Sequence, residues 1–431
     1  MSETKRLLFE IEGAPRRQGL FKKLRSYVGV FDSGIRVELA GGVLDCALED
    51  IFDVYVKEPV TPGVNARTAV IEFYREGKPQ FLELGNETFP GLAEKTEHVL
   101  KNEWSHLLQK RDYPETVKWF VACCAVVYIA SEQNPHIFGS AYKNPETAES
   151  QREVLRNSWG FDDASDLRRM LPKLMNGRSV AQWRAFAAEP DALDADERAL
   201  YDAILTAGGE ICFWAWDWQR LIFISSLGYL CEWLSYEESL SWCLSAGQKL
   251  RGLFRSWDEF MRCYLLGYCF WAGEDPADGD GETAARRRIY EHYKRLPQNP
   301  WSVAWDASLR REWTDASDVI NEARMKLPAD FAFLPEMYAD GHFPDFLVDK
   351  LRDQLLEIVA FIEEGGHTAR EIQVILDCVI QKTNESAEEF EENGSEIETA
   401  ARDSIGNTVA NILRCFGVDI DIETAIRMRE W

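Results

Sequence analysis

Short runs of alternating apolar and polar residues occupy the first quarter of the chain. Glycine, proline, asparagine and aspartate separate these runs, and these residues favour tight turns between strands. The pattern therefore predicts a small antiparallel β-domain. The predicted strands are Leu7 to Ile11, Tyr27 to Phe31, Gly34 to Leu39, Val43 to Leu44, Phe52 to Val56, Ala69 to Tyr74 and Lys78 to Leu84.

The apolar spacing becomes helical after the last predicted strand. It predicts one helix between Pro90 and Leu108, and it keeps a helical period from Pro114 onward. Ser235 and Ser256 each precede an acidic residue by three positions, an arrangement that starts helices. The further helices expected from this pattern are Glu197 to Ala207, Ala215 to Leu230, Ser235 to Phe254 and Ser256 to Trp271.

A rare charge pair lies in the most aromatic part of the chain, within Trp216-Asp217-Trp218-Gln219-Arg220. Residues three apart share a helix face, so Asp217 and Arg220 can pair while their apolar neighbours enter a core. An ion pair inside an apolar helix more often fixes packing than performs chemistry, because either charge alone would be buried without compensation. We therefore predict that Asp217 and Arg220 form a structural ion pair, and we assign no catalytic residue.

Three amphipathic helices are predicted in the last quarter of the chain. Apolar residues recur there at intervals of three and four, which is the period of a helix with one buried face. A compact helical bundle follows from this pattern. The residues that mark the three stripes are Leu347, Leu351, Leu355, Ile358 and Ile362, then Ile372, Ile375, Leu376 and Val379, then Ile405, Val409, Ile412, Leu413 and Phe416.

Together these patterns predict an α+β protein that is mostly α. We expect an N-terminal small β-barrel with a closing helix at residues 1–110. A central, tryptophan-rich, all-helical domain should follow at residues 111–327, and an acidic helical bundle at residues 328–431.

The predicted strands and closing helix resemble the pleckstrin-homology (PH) domain over about the first 105 residues. In lipid-binding members of that superfamily, basic residues around the first hairpin hold phosphoinositide headgroups. A solvated loop explains the basic residues here better, because the first 110 residues carry 15 basic against 17 acidic side chains. The basic residues in question are Arg16, Arg17, Lys22, Lys23 and Arg25.

Residues 140 to 310 resemble a bacterial family catalogued as domain of unknown function 1266, and residues 330 to 431 resemble domain of unknown function 5713. Neither resemblance implies a catalytic residue. The first rests on Trp216 to Arg220, Gly228-Tyr229, Phe254 to Phe260, Tyr264 to Tyr268, Trp271 and Pro300-Trp301. The second rests on Met337-Tyr338, Phe343 to Asp349, Glu391 to Glu398 and Phe416 to Asp421.

The formal net charge of −25 argues against binding to nucleic acid or to an anionic membrane, since both require a basic surface. From Pro328 onward there are 23 acidic and 8 basic residues, a net charge of −15. A basic protein is the partner that this charge favours.

The cysteines and histidines predict neither disulfides nor a metal site. Most of the ten cysteines lie in apolar, helix-like segments, so we interpret them as reduced core residues, and we expect no cofactor. The six histidines are scattered, without HExxH or zinc-type spacing. A polar N-terminus and the lack of a membrane-spanning apolar run lead us to expect a cytoplasmic protein.

We expect a non-enzymatic interaction protein, such as an immunity or antitoxin-like factor that covers a basic toxin. Four glutamates near the end of the second C-terminal helix are the candidate binding residues, because they repel one another where the helix dipole also disfavours negative charge. They are Glu388, Glu389, Glu391 and Glu392. One alternative is a metal-assisted hydrolase or nuclease that uses Asp217, Asp258 and Glu259. Another is a membrane-surface adaptor led by the PH-like domain.

Overall fold

A computed structural model of the chain provides the coordinates. It describes residues 5–13, 16–18, 22–24, 26–39, 42–57, 67–75, 78–104, 113–141, 143, 145–295, 299–313 and 326–431. Arg25, one of the basic residues near the first hairpin, lies outside the described residues.

All nine described strands precede residue 86. They are β1 Leu7–Glu12, β2 Arg16–Gln18, β3 Lys22–Leu24, β4 Tyr27–Phe31, β5 Gly34–Leu39, β6 Gly42–Ala47, β7 Ile51–Lys57, β8 Thr68–Arg75 and β9 Lys78–Gly85. The seven predicted strands are confirmed. The alternating pattern did not predict β2 and β3, which are only three residues long and pair with each other across the basic hairpin.

Every described strand pairing is antiparallel, and the strands form three sheets. The first sheet has the order β1-β4-β5-β6, the second is the β2-β3 hairpin, and the third has the order β7-β8-β9. Val28 pairs with Val37 and Val30 with Ile35, and all four side chains are buried in one core. The predicted antiparallel β-domain is therefore confirmed, although its described strands do not form one closed sheet.

Helices account for the regular structure that follows. Their bounds are α1 Leu92–Asn102, α2 Glu115–Ala130, α3 Pro145–Trp159, α4 Ala164–Met175, α5 Arg178–Ala187, α6 Ala195–Ala207, α7 Ile211–Leu230, α8 Tyr236–Leu253, α9 Trp257–Ala272, α10 Glu282–Tyr293, α11 Pro335–Ala339, α12 Asp345–Glu364, α13 Ala369–Glu392, α14 Thr399–Cys415 and α15 Ile422–Ala425. Within the described ranges, no helix combines the length and apolar character needed to cross a membrane.

Two of the predicted helix starts are confirmed by their capping bonds. The hydroxyl of Ser235 accepts from the backbone nitrogen of Glu238, and α8 begins at the next residue after Ser235. The hydroxyl of Ser256 accepts from the backbone nitrogen of Glu259 at the start of α9. Each hydroxyl satisfies one of the amides that a helix N-terminus leaves without an intrahelical partner.

The chain divides into two compact units, each made of separate stretches. The first unit consists of Met1–Pro114, Val126–Ile137 and Ala285–Ser302, and the second consists of Glu115–Ala125, Phe138–Ala284 and Val303–Trp431. The division into domains 1–110, 111–327 and 328–431 stays a prediction.

Tryptophans dominate one core of the second unit. Trp119, Trp257 and Trp305 pack with their ring centroids between 4.8 and 5.1 Å apart. Each indole nitrogen donates to a backbone carbonyl oxygen, so these large rings are buried without losing their hydrogen bonds.

A separate cluster of buried apolar residues lies in the C-terminal part of the second unit. The predicted stripe of α12 is buried there, together with the stripe of α14. The stripe residues on α12 are Leu347, Leu351, Leu355, Ile358 and Ile362. The expectation that these helices bury one face each is therefore confirmed.

Candidate functional site

The carboxylate of Asp217 is fully buried in the middle of α7 and is hydrogen-bonded to the start of another helix. Its two oxygens accept from the backbone nitrogen of Ser179 at 2.6 Å and from the hydroxyl of Ser179 at 2.7 Å. Ser179 is the second residue of α5. Asp217 therefore caps α5 from outside that helix, where the amides and the helix dipole both favour negative charge.

Gly177 explains why the cap has to come from elsewhere. It precedes α5 with a φ of +86°, and a Cβ there would lie 2.5 Å from the ring of Trp214. Both the backbone conformation and the space favour glycine, which has no side chain to cap the helix. The carboxylate of Asp217 fills that role.

Arg220 lies one helical turn after Asp217, with Nη1 3.8 Å from Oδ1 of the carboxylate. Its guanidinium carbon is 4.5 Å from the ring centre of Trp159 and 5.0 Å from that of Trp216. The side chain of Arg220 is 15% exposed, whereas that of Asp217 is 0% exposed. The structure thus brings the two predicted partners to ion-pair distance and adds aromatic contacts on the cation.

Burial opposes the charge on both residues. It raises the pKa of Asp217 to about 6, although the hydrogen bonds from Ser179 and the charge of Arg220 act in the other direction. Burial also lowers the pKa of Arg220 to about 10, against the effect of Asp217. Both groups are therefore mostly ionised at neutral pH, and each depends on its neighbours to remain so.

The three carboxylates of the hydrolase alternative have different surroundings. Asp217 is buried, whereas Asp258 is exposed in the first turn of α9. The carboxylate of Glu259 accepts from the backbone nitrogen of Arg255 at 2.8 Å. Among the described residues, no group of three or more His, Cys, Asp or Glu side chains could hold a metal ion.

The four candidate glutamates lie in the last five residues of α13. Glu388, Glu391 and Glu392 are exposed, whereas Glu389 is partly buried and accepts a hydrogen bond from the ammonium of Lys350. Three of the four carboxylates therefore face solvent at one helix end.

An exposed aromatic residue that the sequence analysis did not identify lies at the same end of the bundle. Helices α12 and α13 are antiparallel, because Lys350 bonds Glu389 while Gln354 donates to the hydroxyl of Ser386 at 3.1 Å. Phe346 is one turn before Lys350, and it is 56% exposed. The sequence did carry a signal for this residue, because Phe346 is an apolar residue outside the apolar stripe of an amphipathic helix. We call Phe346 and the four glutamates the acidic end.

A buried polar network that the sequence did not reveal centres on Asp377. Its carboxylate is fully buried and accepts from Arg427 at 3.0 Å and from Gln373 at 2.8 Å. Arg427 also lies 3.7 Å from Glu238, which accepts from Arg168 at 2.9 Å. The network joins α4 and α8 to α13 and the C-terminal residues within the second unit.

One cavity of about 410 Å³ opens beside α6 and α9. Its walls are mainly apolar, with one guanidinium and one carboxylate among the six lining residues. These are Asp202, Ala203, Thr206, Ala207, Arg262 and Leu266.

Comparison with known proteins finds two family models along the chain. Residues 154–305 match "Protein of unknown function (DUF1266)", and residues 327–431 match "Family of unknown function (DUF5713)". These matches confirm both resemblances expected from the sequence. They cover the tryptophan-rich helices and the C-terminal bundle, respectively.

Two curated proteins of Escherichia coli (strain K12) are similar to part of the chain. "Uncharacterized protein YbeR" is 30% identical over 145 residues, which is 29% of this chain and 58% of YbeR. "Uncharacterized protein YbeU" is 27% identical over 181 residues, which is 35% of this chain and 77% of YbeU. No solved structure matches the chain. The chain therefore carries two segments, each matched by the model of a different family of unknown function.

Proposed function

We propose that this chain is a non-enzymatic interaction protein that binds a basic protein through its acidic end. The supporting observation is that Glu388, Glu391 and Glu392 are exposed at one helix end. Phe346 is exposed on the paired helix, one turn before the Lys350 that bonds Glu389. Interfaces commonly combine an aromatic anchor with charges that surround it. Long-range attraction would come from the −15 net charge of the residues from Pro328 onward.

The local cost of the acidic end supports a role in binding. Neighbouring carboxylates repel one another, and negative charge at a helix C-terminus opposes the dipole, with each effect worth tenths of a kcal/mol. Lys350 offsets only one of the four charges through its bond to Glu389. A basic partner would relieve the remaining repulsion on binding.

Covering a basic toxin, as an immunity or antitoxin-like factor does, is the specific form of this proposal. Such a factor needs fast association and no catalytic group. The field of an acidic surface can raise association rates by about 10 to 10³ at low salt. The capping role of Asp217 and the different surroundings of Asp258 and Glu259 favour binding over the hydrolase alternative.

A PH-like domain at residues 1–110 forms part of the proposal. Antiparallel sheets of four and three strands, followed by α1, support this assignment. The basic hairpin β2-β3 lies between β1 and β4, which keeps the membrane-surface adaptor as the second candidate function. We place the protein in the cytoplasm, in keeping with ten free cysteines.

The test replaces Glu388, Glu389, Glu391 and Glu392 by glutamine in the full chain. Proteins captured from the native cell by the wild type are identified, and binding of the basic one is measured across salt concentrations. We expect the variant to lose association rate and much of the salt dependence. Phe346→Ala should instead raise the dissociation rate, because it removes a short-range contact.

A charge-matched control changes four other exposed acidic residues of the second unit. It carries Glu189→Gln, Asp191→Asn, Asp196→Asn and Asp202→Asn, so its net charge equals that of the test variant. Equal loss in both variants would mean that overall charge, rather than the acidic end, drives association. Unchanged kinetics in the test variant would remove this surface from consideration, and binding to anionic vesicles would favour the adaptor.

A further inference from the structure

Helix α12 exposes apolar side chains on the side that faces away from its buried stripe. Phe346 is 56% exposed, and Leu356, about 15 Å further along the helix, is 39% exposed. The helical period places both on the solvent side, together with the exposed Ala360. An amphipathic helix ordinarily carries polar residues there, so these apolar residues need a different explanation.

Tyr338 adds a third apolar surface beside α12. It lies in α11, it is 37% exposed, and its hydroxyl donates to the carboxylate of Asp349 at 2.7 Å. Three of the ten exposed large apolar side chains among the described residues therefore lie on or beside one side of α12. Such a concentration marks an interaction site, whereas apolar residues that are exposed singly are ordinary.

Two carboxylates lie between Phe346 and Leu356 on the same side of the helix. Asp349 and Asp353 accept hydrogen bonds from Arg352, at 2.6 and 3.1 Å, and their side chains remain 48% and 68% exposed. One guanidinium therefore serves two carboxylates. We call Tyr338, Phe346, Asp349, Asp353 and Leu356 the outer face.

The outer face is negatively charged. Residues 335–360, which include it, contain six acidic and two basic side chains, a net charge of −4. A second copy of this chain would bring the same charge to the interface, and the like charges would repel. A basic surface would instead pair with Asp349 and Asp353, which share a single guanidinium. Charge complementarity therefore assigns the outer face to a basic partner.

The spacing of the outer face fits a helix. Its four residues on α12 follow one another at intervals of three, four and three residues, so they form a row along the helix. Side chains of a second helix fit between rows of this kind when two helices pack. Apolar anchors at such intervals are a common means of recognising an amphipathic helix.

We propose that the outer face binds a basic amphipathic helix of the partner protein. The apolar stripe of that helix covers Phe346 and Leu356, and its lysine or arginine side chains pair with Asp349 and Asp353. The helix is the form in which the basic protein meets the acidic end, so the assignment rests on the proposed function. Phe346 belongs to both surfaces, and the bound helix therefore runs from the acidic end along α12.

The test measures binding of the full chain to two synthetic peptides by fluorescence anisotropy. Both contain about 18 residues of leucine and lysine, enough for a helix about 27 Å long. One places its leucines on a single helix face, and the other spreads the same leucines around the helix. We expect the amphipathic peptide to bind about tenfold more tightly, because only its leucines can cover the outer face together.

Leu356→Gln removes an apolar contact and leaves the charge and the helix propensity nearly unchanged. It should weaken binding of the amphipathic peptide about fivefold to tenfold. Leu253→Gln is the matched control, because Leu253 is 38% exposed at the end of α8. The control should bind the peptide as the wild type does. Equal binding of the two peptides, or equal effects of the two variants, would overturn the proposal.

The variant with four glutamines at the acidic end separates this proposal from the proposed function. Both it and Leu356→Gln are measured with the basic protein captured from the native cell. If the glutamines slow association while Leu356→Gln binds as the wild type does, the proposed function stands and a helix on the outer face is ruled out. If no basic protein is captured although peptide binding depends on Leu356, the proposed function fails and the outer face remains a helix-binding surface. Self-association of the wild type that Leu356→Gln abolishes would assign the face to a second copy and would also overturn the proposal.

Discussion

Asp217 caps a helix that contains none of its sequence neighbours. Its carboxylate accepts hydrogen bonds from both the backbone amide and the hydroxyl of Ser179, a residue 38 positions earlier in the chain. The charge is therefore fixed by the start of α5 as well as by Arg220. This double role makes the residue a packing element that joins α5 to α7.

Removing the Asp217 side chain should destabilise the second unit. We expect Asp217→Ala to lower the free energy of unfolding by about 3 to 5 kcal/mol, because Arg220 loses its counter-ion and α5 loses its cap. Asp217→Asn should cost less, since an amide oxygen can still accept from the amide of Ser179. Urea unfolding followed by tryptophan fluorescence measures both variants.

Glu153→Ala is the control for this prediction, because Glu153 is an exposed carboxylate on α3. Its effect should stay within about 0.5 kcal/mol. Equal, small effects for Asp217→Ala and Glu153→Ala would contradict the structural role. An Asp217→Asn variant that kept its stability but lost a measured activity would favour the enzyme alternative.

The stability contributed by Asp217 should depend on pH. Its pKa rises from 3.8 to about 6 on folding because of burial, so the folded chain holds the proton more tightly than the unfolded chain. The free energy of unfolding should therefore fall as pH rises from about 4 to about 6. The fall should be about 3 kcal/mol, at about 1.4 kcal/mol for each pKa unit.

The comparison with Asp217→Asn isolates this effect, since both proteins share every other titrating group. Urea unfolding at several pH values between 4 and 7 measures the free energy of unfolding of both proteins. The difference between them should shift in favour of Asp217→Asn as the pH rises to 6. The difference should then stay constant. A difference that did not change with pH would mean that the carboxylate is not held in a desolvated site.

The sequence predicted the local features of this region and missed the distant ones. The period of three and four located α7, and the spacing of Asp217 and Arg220 placed both on one face. Ser179 could not be identified as a partner, because tertiary packing alone brings α5 to α7. The buried Asp377 was missed for the same reason, since Arg427 lies 50 residues away.

The N-terminal β-domain shows the same limit. Alternation gave seven strands because each has one face in the core, but β2 and β3 are too short for an alternating pattern to be recognised. Closure of the sheets depends on hydrogen bonds between strands distant in sequence, which period alone does not determine. Phe346, by contrast, lies outside the apolar stripe of α12, so the helical period could have predicted its exposure.

Arg220 should resist replacement by lysine. Its planar guanidinium contacts the rings of Trp159 and Trp216, and a lysine ammonium cannot stack in this way. We expect Arg220→Lys to lower the free energy of unfolding by about 1 to 2 kcal/mol. The exposed Arg156 on α3 provides the control, and Arg156→Lys should have little effect.

Combining Arg220→Lys with Trp159→Leu tests the contact directly. If the guanidinium and the ring stabilise each other, the double variant should be less destabilised than the sum of the single variants, by about 0.5 kcal/mol or more. Strict additivity would show that the stacked arrangement contributes nothing to stability.

Arg427 and Arg429 offer a matched pair for the last prediction. Arg427 bonds the fully buried Asp377, whereas Arg429 bonds Glu423, whose side chain is 69% exposed. Arg427→Ala should cost about 3 to 5 kcal/mol because it leaves a buried carboxylate without its counter-ion. Arg429→Ala should cost less than about 1 kcal/mol, as is usual for surface ion pairs.

The cost of Arg427→Ala should also grow with pH. Burial already raises the pKa of Asp377, and losing the hydrogen bond and charge of Arg427 would raise it further. The loss of stability should be smallest in acid, where the carboxyl of Asp377 is neutral in both the folded and the unfolded chain. It should be complete above the raised pKa that Asp377 has in the folded variant. Adding Asp377→Asn should restore part of the lost stability, because the buried charge is then absent. If Arg427→Ala and Arg429→Ala had equal effects at every pH, the buried charge of Asp377 would not need Arg427 as its counter-ion. Apolar contacts, rather than this ion pair, would then join residues 154–305 to residues 327–431.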